Sequence, residues 1–94
     1  MIFEWDEAKR AANLAKHGVD FADAARLEWG AAKTFADRRR DYGEARTAAL
    51  VPLGGRLHAC LYTLRDGRLR IISLRKANAR ERRTYEQLSP PSDR

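Results

Sequence analysis

Hydrophobic and polar positions change period twice along this chain. "IFEW", Ile2 to Trp5, is short and extended in character. Asp6 then stands at an N-cap position, Glu7 follows in the first turn, and Ala8, Ala11, Ala12 and Ala15 recur at helical spacing. Lys16 and His17 fall in the last turn and Gly18 supplies the left-handed C′ residue, so His17 reads as a partner of the helix dipole. "DFADAARLEWG" starts a second helix, with Asp20 as its N-cap, Phe21, Ala24, Ala25 and Trp29 on one side, and Gly30 as its stop. A short strand around Lys33 to Phe35 leads into a charged loop. There Asp37 and Asp41 bracket Arg38-Arg39-Arg40, which reads as a solvated run.

From Arg46 the period becomes two. "ARTAALVPL", "RLHACLYTLR" and "RLRIISLR" read as three strands joined by Gly54-Gly55 and Asp66-Gly67, both suited to two-residue hairpin turns. Pro52 points to an edge position. Asn78 then caps a helix with Glu81 three residues on, a capping-box pattern that carries Tyr85 and Leu88 toward the core. The expectation is an α+β domain over residues 1–88, an antiparallel sheet with two N-terminal helices and one C-terminal helix. Residues 89–94, "SPPSDR", form a flexible tail.

Two-residue turns also predict which side chains share a face. Arg65 pairs with Arg68, Thr63 with Arg70, Leu61 with Ile72 and Ala59 with Leu74. Ala48, Leu50, Leu57, Ala59, Leu61, Ile72 and Leu74 then form the apolar surface that the helices cover. The opposite face carries Thr47, Val51, His58, Cys60, Tyr62, Ile71, Ser73 and Arg75, with His58 across from Arg75 and Cys60 across from Ser73. Such a face is either a solvated exterior or a place to bind and cleave a phosphodiester.

Charge adds weight to the second alternative. The chain of 94 residues is 44% hydrophobic, enough for a core, yet its net charge is +6 and its pI about 10.1. Arg56 to Arg83 holds nine basic residues and two acids, a local +7 that leaves the remaining chain at −1. Arginine outnumbers lysine fifteen to four, and the guanidinium fork suits phosphate. Cys60 stands alone, so no intrachain disulfide forms, and with no nearby helix N-terminus to make a thiolate it reads as a small structural residue. His17 and His58 lack metal-ligand spacing, so no metal or cofactor is expected. No apolar run approaches a membrane span and no signal core opens the chain, which reads as cytoplasmic.

RNA cleaves without a metal when its own 2′-OH attacks the adjacent phosphate. A base takes that proton, a cation stabilises the charge building on phosphorus, and an acid protonates the leaving 5′-oxygen. An imidazole such as His58 can act as base or acid near neutral pH, Arg75 suits the phosphate, and Tyr62 and Ser73 complete the candidate catalytic set. Arg65, Arg70, Arg56 and Lys76 are candidate RNA contacts. Two other classes stay open: a nucleic-acid-binding subunit that cuts nothing, and an interaction protein whose basic face docks an acidic partner.

The blocks "FEWDEAKRAANLAKHGVDFADA", "DRRRDYGEAR" and "YTLRDGRLRIISLRKANARERRTY", in this order, resemble the BrnT family of type II toxins. The more specific positions are Lys16-His17-Gly18, Tyr42-Gly43-Glu44, Arg46, Tyr62-Thr63 and Arg70-Ile71-Ile72-Ser73. The resemblance implies a RelE-like fold and a ribonuclease toxin encoded beside a neutralising antitoxin, BrnA. That antitoxin carries a ribbon–helix–helix DNA-binding part, so operator DNA is reached only through it, and a homodimer of the toxin fits within the complex. Family motif positions fall on Tyr62, Thr63, Arg65, Arg70, Ser73 and Arg75. Glu81, Arg82 and Tyr85 match the closing helix, with Glu81 as its cap. Toxins of this kind rely on arginines, lysines and a tyrosine rather than one triad. His58 stands where an apolar strand residue would be unremarkable and is this sequence's own feature.

Overall fold

The computed structural model describes residues 1–39, 41 and 43–88. Strands β1 (Ile2–Trp5), β2 (Lys33–Ala36), β3 (Thr47–Leu53), β4 (Arg56–Arg65) and β5 (Arg68–Lys76) form one sheet, joined by helices α1 (Glu7–His17) and α2 (Ala79–Leu88). The strand order is β1-β5-β4-β3-β2. The class is α+β, but the sheet is mixed rather than antiparallel. β2 through β5 form an antiparallel meander, and β1 lies parallel to β5 at the remaining edge. Side-chain periodicity carries no strand direction. Direction follows here from the path of α1, which packs against β5 while the chain travels to the far edge.

α1 begins as its residues dictate. The Asp6 carboxylate accepts from Lys9 N at 3.0 Å, and Gly18, at φ 71°, donates its N–H to Leu14 O. Its alanines nevertheless face solvent, and the buried residue is Asn13. The Asn13 carboxamide donates to Val19 O (3.0 Å) and Leu74 O (2.7 Å) and accepts from Leu74 N (3.2 Å). β1 pairs with β5 only as far as Ile71, so Asn13 satisfies the β5 backbone where the neighbouring strand has ended.

The second N-terminal helix is not an α-helix. Phe21–Arg26 is a 3-10 helix capped by Asp20, and Trp29–Ala31 is a separate 3-10 turn. A three-residue turn puts Phe21, Ala24 and Leu27 on one side, and all three are buried, while Ala25 is exposed. Trp29 stacks on Phe3 and meets Tyr62 edge-on.

Both hairpins use the expected turns, with φ positive at Gly54, Gly55, Asp66 and Gly67. Arg65 pairs with Arg68 and Thr63 with Arg70 as expected. Beyond Tyr62–Ile71 the register shifts: Leu61 pairs with Ser73, Cys60 with Leu74, Ala59 with Arg75 and His58 with Lys76. Ile72 is the extra residue of a β-bulge. The expected pairs Leu61–Ile72, Ala59–Leu74, Cys60–Ser73 and His58–Arg75 are therefore replaced. One inserted residue moves every later β5 side chain to the other face relative to β4.

The covered face also differs from expectation. Val19, Phe21, Ala24 and Leu27 form one core with Ala49, Val51, Cys60, Leu69, Ile71 and Leu74. The N-terminal segments thus cover the Val51–Cys60–Ile71 face, and the Ala48–Ala59–Leu61 face lies on the side of α2. Alternation sorts the two sets but does not say which is covered, since both are largely apolar. The branched Val51 and Ile71 offer more area to bury than Ala48 and Ala59.

β3 is an internal strand, yet its β2 partner stops at Lys33–Leu50, so Pro52 lies past the paired stretch. α2 has the predicted reciprocal cap: Asn78 N donates to Glu81 Oε1 at 2.9 Å and Glu81 N to Asn78 Oδ1 at 2.8 Å. Tyr85 Oη donates to Ala31 O at 2.6 Å, tying α2 across the fold. Leu88 is exposed and does not reach the core. The expected tail, 89–94, lies outside the described residues, as do Arg40 and Tyr42. Among the described residues no helix is long and apolar enough to cross a membrane.

Candidate nucleic-acid interface

On the face away from the core, strand pairing aligns two transverse rows: Lys33–Leu50–Ala59–Arg75 and Phe35–Ala48–Leu61–Ser73. Toward the Asp66-Gly67 turn, the pairs Thr63–Arg70 and Arg65–Arg68 continue the same face. β5 therefore presents Arg68, Arg70, Ser73 and Arg75 along one line, beside a small apolar floor on β3 and β4. The bulge at Ile72 makes this possible, because without it Ser73 and Arg75 would point into the core side.

Each of these guanidiniums has a carboxylate partner. Arg70 donates to Glu4 at 3.2 Å and Arg68 lies 3.7 Å from the same group, while Arg65 reaches Glu44 at 3.0 Å. Arg75 grips Glu81 with both arms, at 2.8 and 2.9 Å. That fork holds the Glu81 carboxyl below the usual carboxylate range, against the opposing effect of burial, and raises the Arg75 guanidinium in turn. The Arg75–Glu81 fork and the Arg70–Glu4 pair are part-buried and hold their guanidiniums in place. Arg65 and Arg68 are more exposed and their pairs contribute little to stability, so a phosphate can displace those carboxylates at small cost.

A cleft of about 470 Å³ opens between this face, α2 and the loop after β2. Arg80, Glu81 and Thr84 line it from α2, and Asp37, Arg38 and Arg39 from the loop. The run expected to be merely solvated thus delivers two arginines to the rim, with Arg39 braced by Asp37 at 2.8 Å.

The other expected residues lie elsewhere. His58 is buried, 5% exposed, with Nδ1 2.9 Å from Arg56 O. A carbonyl only accepts, so Nδ1 carries the proton in that bond. Tyr62 packs against the core beside Trp29, and burial pushes its phenol up. Burial takes the Cys60 thiol up to about 12, in keeping with a small structural residue. Arg56 pairs with Leu53 and Lys76 with His58, on the core side of the sheet's far end. The structure brings together Arg65, Arg70, Ser73 and Arg75, and separates them from His58, Tyr62, Arg56 and Lys76.

His17 occupies the last turn of α1, where partial burial and the cations Lys16 and Arg75 hold its imidazole below the ordinary range. Its neutral form is a weaker dipole partner than the charged one. Among the described residues no three His, Cys, Asp or Glu side chains converge as metal ligands.

Sequence reasoning missed Arg68, Arg38, Arg39 and Arg80. The signal for the bulge was present in "RLRIISLR", where the doubled Ile71-Ile72 shifts the apolar phase from odd to even positions.

No curated protein matches the chain. The family model described as "Ribonuclease toxin, BrnT, of type II toxin-antitoxin system" matches residues 5–81. That span holds α1, the 3-10 segments, β2 through β5, the bulge and the Arg75–Glu81 pair. The chain belongs to the BrnT family of ribonuclease toxins of type II toxin–antitoxin systems.

Proposed function

We propose that this chain cleaves RNA without a metal, on the sheet face that carries Arg70, Ser73 and Arg75, with Arg65 and Arg68 guiding the strand. The observation that carries the reading is Arg75. Its guanidinium is held by both arms beside Ser73, at an open cleft rimmed with further arginines. The 2′-oxygen bonds to phosphorus and loses its proton to solvent water, the bond to the 5′-oxygen breaks, and that oxygen takes up a proton from solvent water. Two guanidiniums aimed at the phosphate offset the charge that builds on it, and the Ser73 hydroxyl donates to a phosphate oxygen. Glu81 positions Arg75. In this reading His58 and Tyr62 serve the core and take no step.

The antitoxin completes the account. A BrnA-like partner with an acidic or amphipathic segment covers the cationic face in the resting cytoplasm. Its ribbon–helix–helix part does the operator binding, and the complex accommodates a toxin homodimer. Release of the toxin then inhibits translation and growth.

The test is incubation of the purified chain, freed of antitoxin, with RNA in EDTA. Cleavage leaving 2′,3′-cyclic phosphate ends, with DNA of the same sequence intact, is the expected outcome. Activity that vanishes in EDTA and returns with a divalent ion overturns the mechanism. Binding without strand scission favours a non-enzymatic subunit instead.

A further inference from the structure

The cationic line on β5 explains how phosphates are held, but phosphates have no use for what lies beside it. The row Phe35–Ala48–Leu61–Ser73 runs from the edge strand to β5 on the open face. Ala48, Ala59 and Leu61 are half-buried there and line the cleft, while Leu50 is buried beneath it. Phe35, 38% exposed, stands at the edge of this floor. An exposed aromatic on an edge strand is a liability unless something covers it. Short alanine side chains make the recess that larger residues would fill.

The surroundings select the occupant. Arg38, Arg39, Arg75 and Arg80 line the cleft against two acids, Asp37 and Glu81, so its rim favours a polyanion. The floor is flat and apolar, and its aromatic lies three strand spacings, about 14 Å, from the hydroxyl and guanidinium line of β5. A flat apolar group attached to a phosphate backbone is a nucleobase. Bases of single-stranded RNA can be splayed onto aromatic side chains, whereas paired bases are stacked within their own helix.

We infer that the cleft is a base-binding subsite. It takes one unpaired nucleobase of single-stranded RNA against Phe35, Ala48 and Leu61, while the flanking phosphates lie along Arg70, Ser73 and Arg75. The inference rests on the ribonuclease reading and adds to it the preference for unpaired RNA. An amphipathic antitoxin segment is the competing occupant. It would have to place its own acids over four arginines, with its apolar side on a floor only a base or two wide.

The experiment separates binding from cleavage by using 2′-O-methyl RNA, which lacks the attacking hydroxyl. Three probes of equal length are titrated at 0.15 M salt: a single strand, the same strand in a duplex, and an abasic strand. The single strand should bind roughly 5- to 100-fold more tightly than the abasic strand, the range that base–aromatic stacking supplies. The duplex should also bind less tightly than the single strand. Equal affinity for all three overturns the subsite, and that comparison needs no variant. Phe35→Ala should bring the single strand down to the abasic level without changing the salt slope, and Phe35→Trp should restore it. If Phe35→Ala leaves RNA affinity intact and weakens the antitoxin instead, the cleft belongs to the protein partner and the inference falls. Should the three probes rank as expected while unmodified RNA stays uncut, the subsite stands and the cleavage reading fails.

Discussion

Single residues carry more than one duty here, and Arg75 is the clearest case. Its fork on Glu81 fixes where the cation sits, a geometry that an ammonium does not reproduce. Arg75→Lys should therefore lose most of the cleavage rate while keeping the charge, and Arg26→Ala, an exposed pair with Asp23, should lose none. Rates of oligonucleotide cleavage decide it, and a near-native rate for Arg75→Lys would show that charge alone matters. Asn13 illustrates a residue-scale role in stability. Asn13→Ala strips partners from the buried Leu74 N–H and C=O, a loss of about 1–3 kcal/mol. For a domain this size each kcal/mol lowers the melting temperature by about 4–8 °C. An unchanged melting curve would contradict that assignment. Caps such as Asp6, Gly18 and Asn78 were legible in the sequence because each acts within its own turn. Asn13 was not, because its partner lies sixty-one residues away.

At the scale of elements, α2 and α1 each end against the same cation. Glu81 caps α2 and holds Arg75, while His17 closes α1 within reach of Arg75's field. Both groups titrate lower in the folded chain than when free. The unfolded state therefore binds more protons, and stability falls as pH falls. For His17 the loss begins below its ordinary value of 6.5, and for Glu81 below 4.5, each continuing through the lower folded value. Urea midpoints should accordingly decline in two ranges of pH. His17→Gln should flatten the upper decline and Glu81→Gln the lower one. If both variants keep the wild-type profile, the titrating groups lie elsewhere. The hairpins were readable from Gly54-Gly55 and Asp66-Gly67, since those turns demand positive φ. The second helix was misread because apolar spacings of three and of 3.6 diverge by less than a residue per turn. The bulge is not legible from the turn, because a two-residue turn fixes register only as far as the ladder stays regular, here up to Tyr62–Ile71.

Across the whole molecule, one face of the sheet buries the core and the other gathers charge from β5, α2 and the loop after β2. The charge asymmetry was visible in the sequence, and its placement was not, because a one-residue slip decides which face Ser73 and Arg75 occupy. Each phosphate neutralised on single-stranded RNA steepens the dependence of log affinity on log salt by about 0.7, so Arg70→Ala should make the slope shallower by about that amount. An unchanged slope would remove Arg70 from the phosphate path. The same field should speed antitoxin association at low salt, leaving dissociation nearly unaffected. The most direct test of the central claim compares two variants, in EDTA, on one RNA substrate. Tyr62→Phe keeps the ring beside Trp29 and removes only the hydroxyl on the core side. Arg75→Ala removes the cation on the open side. Tyr62→Phe should keep a near-native rate and Arg75→Ala should lose roughly 100-fold or more, with both variants folded by circular dichroism. A crippled Tyr62→Phe beside an active Arg75→Ala would place the chemistry on the other face of the sheet and contradict the central claim.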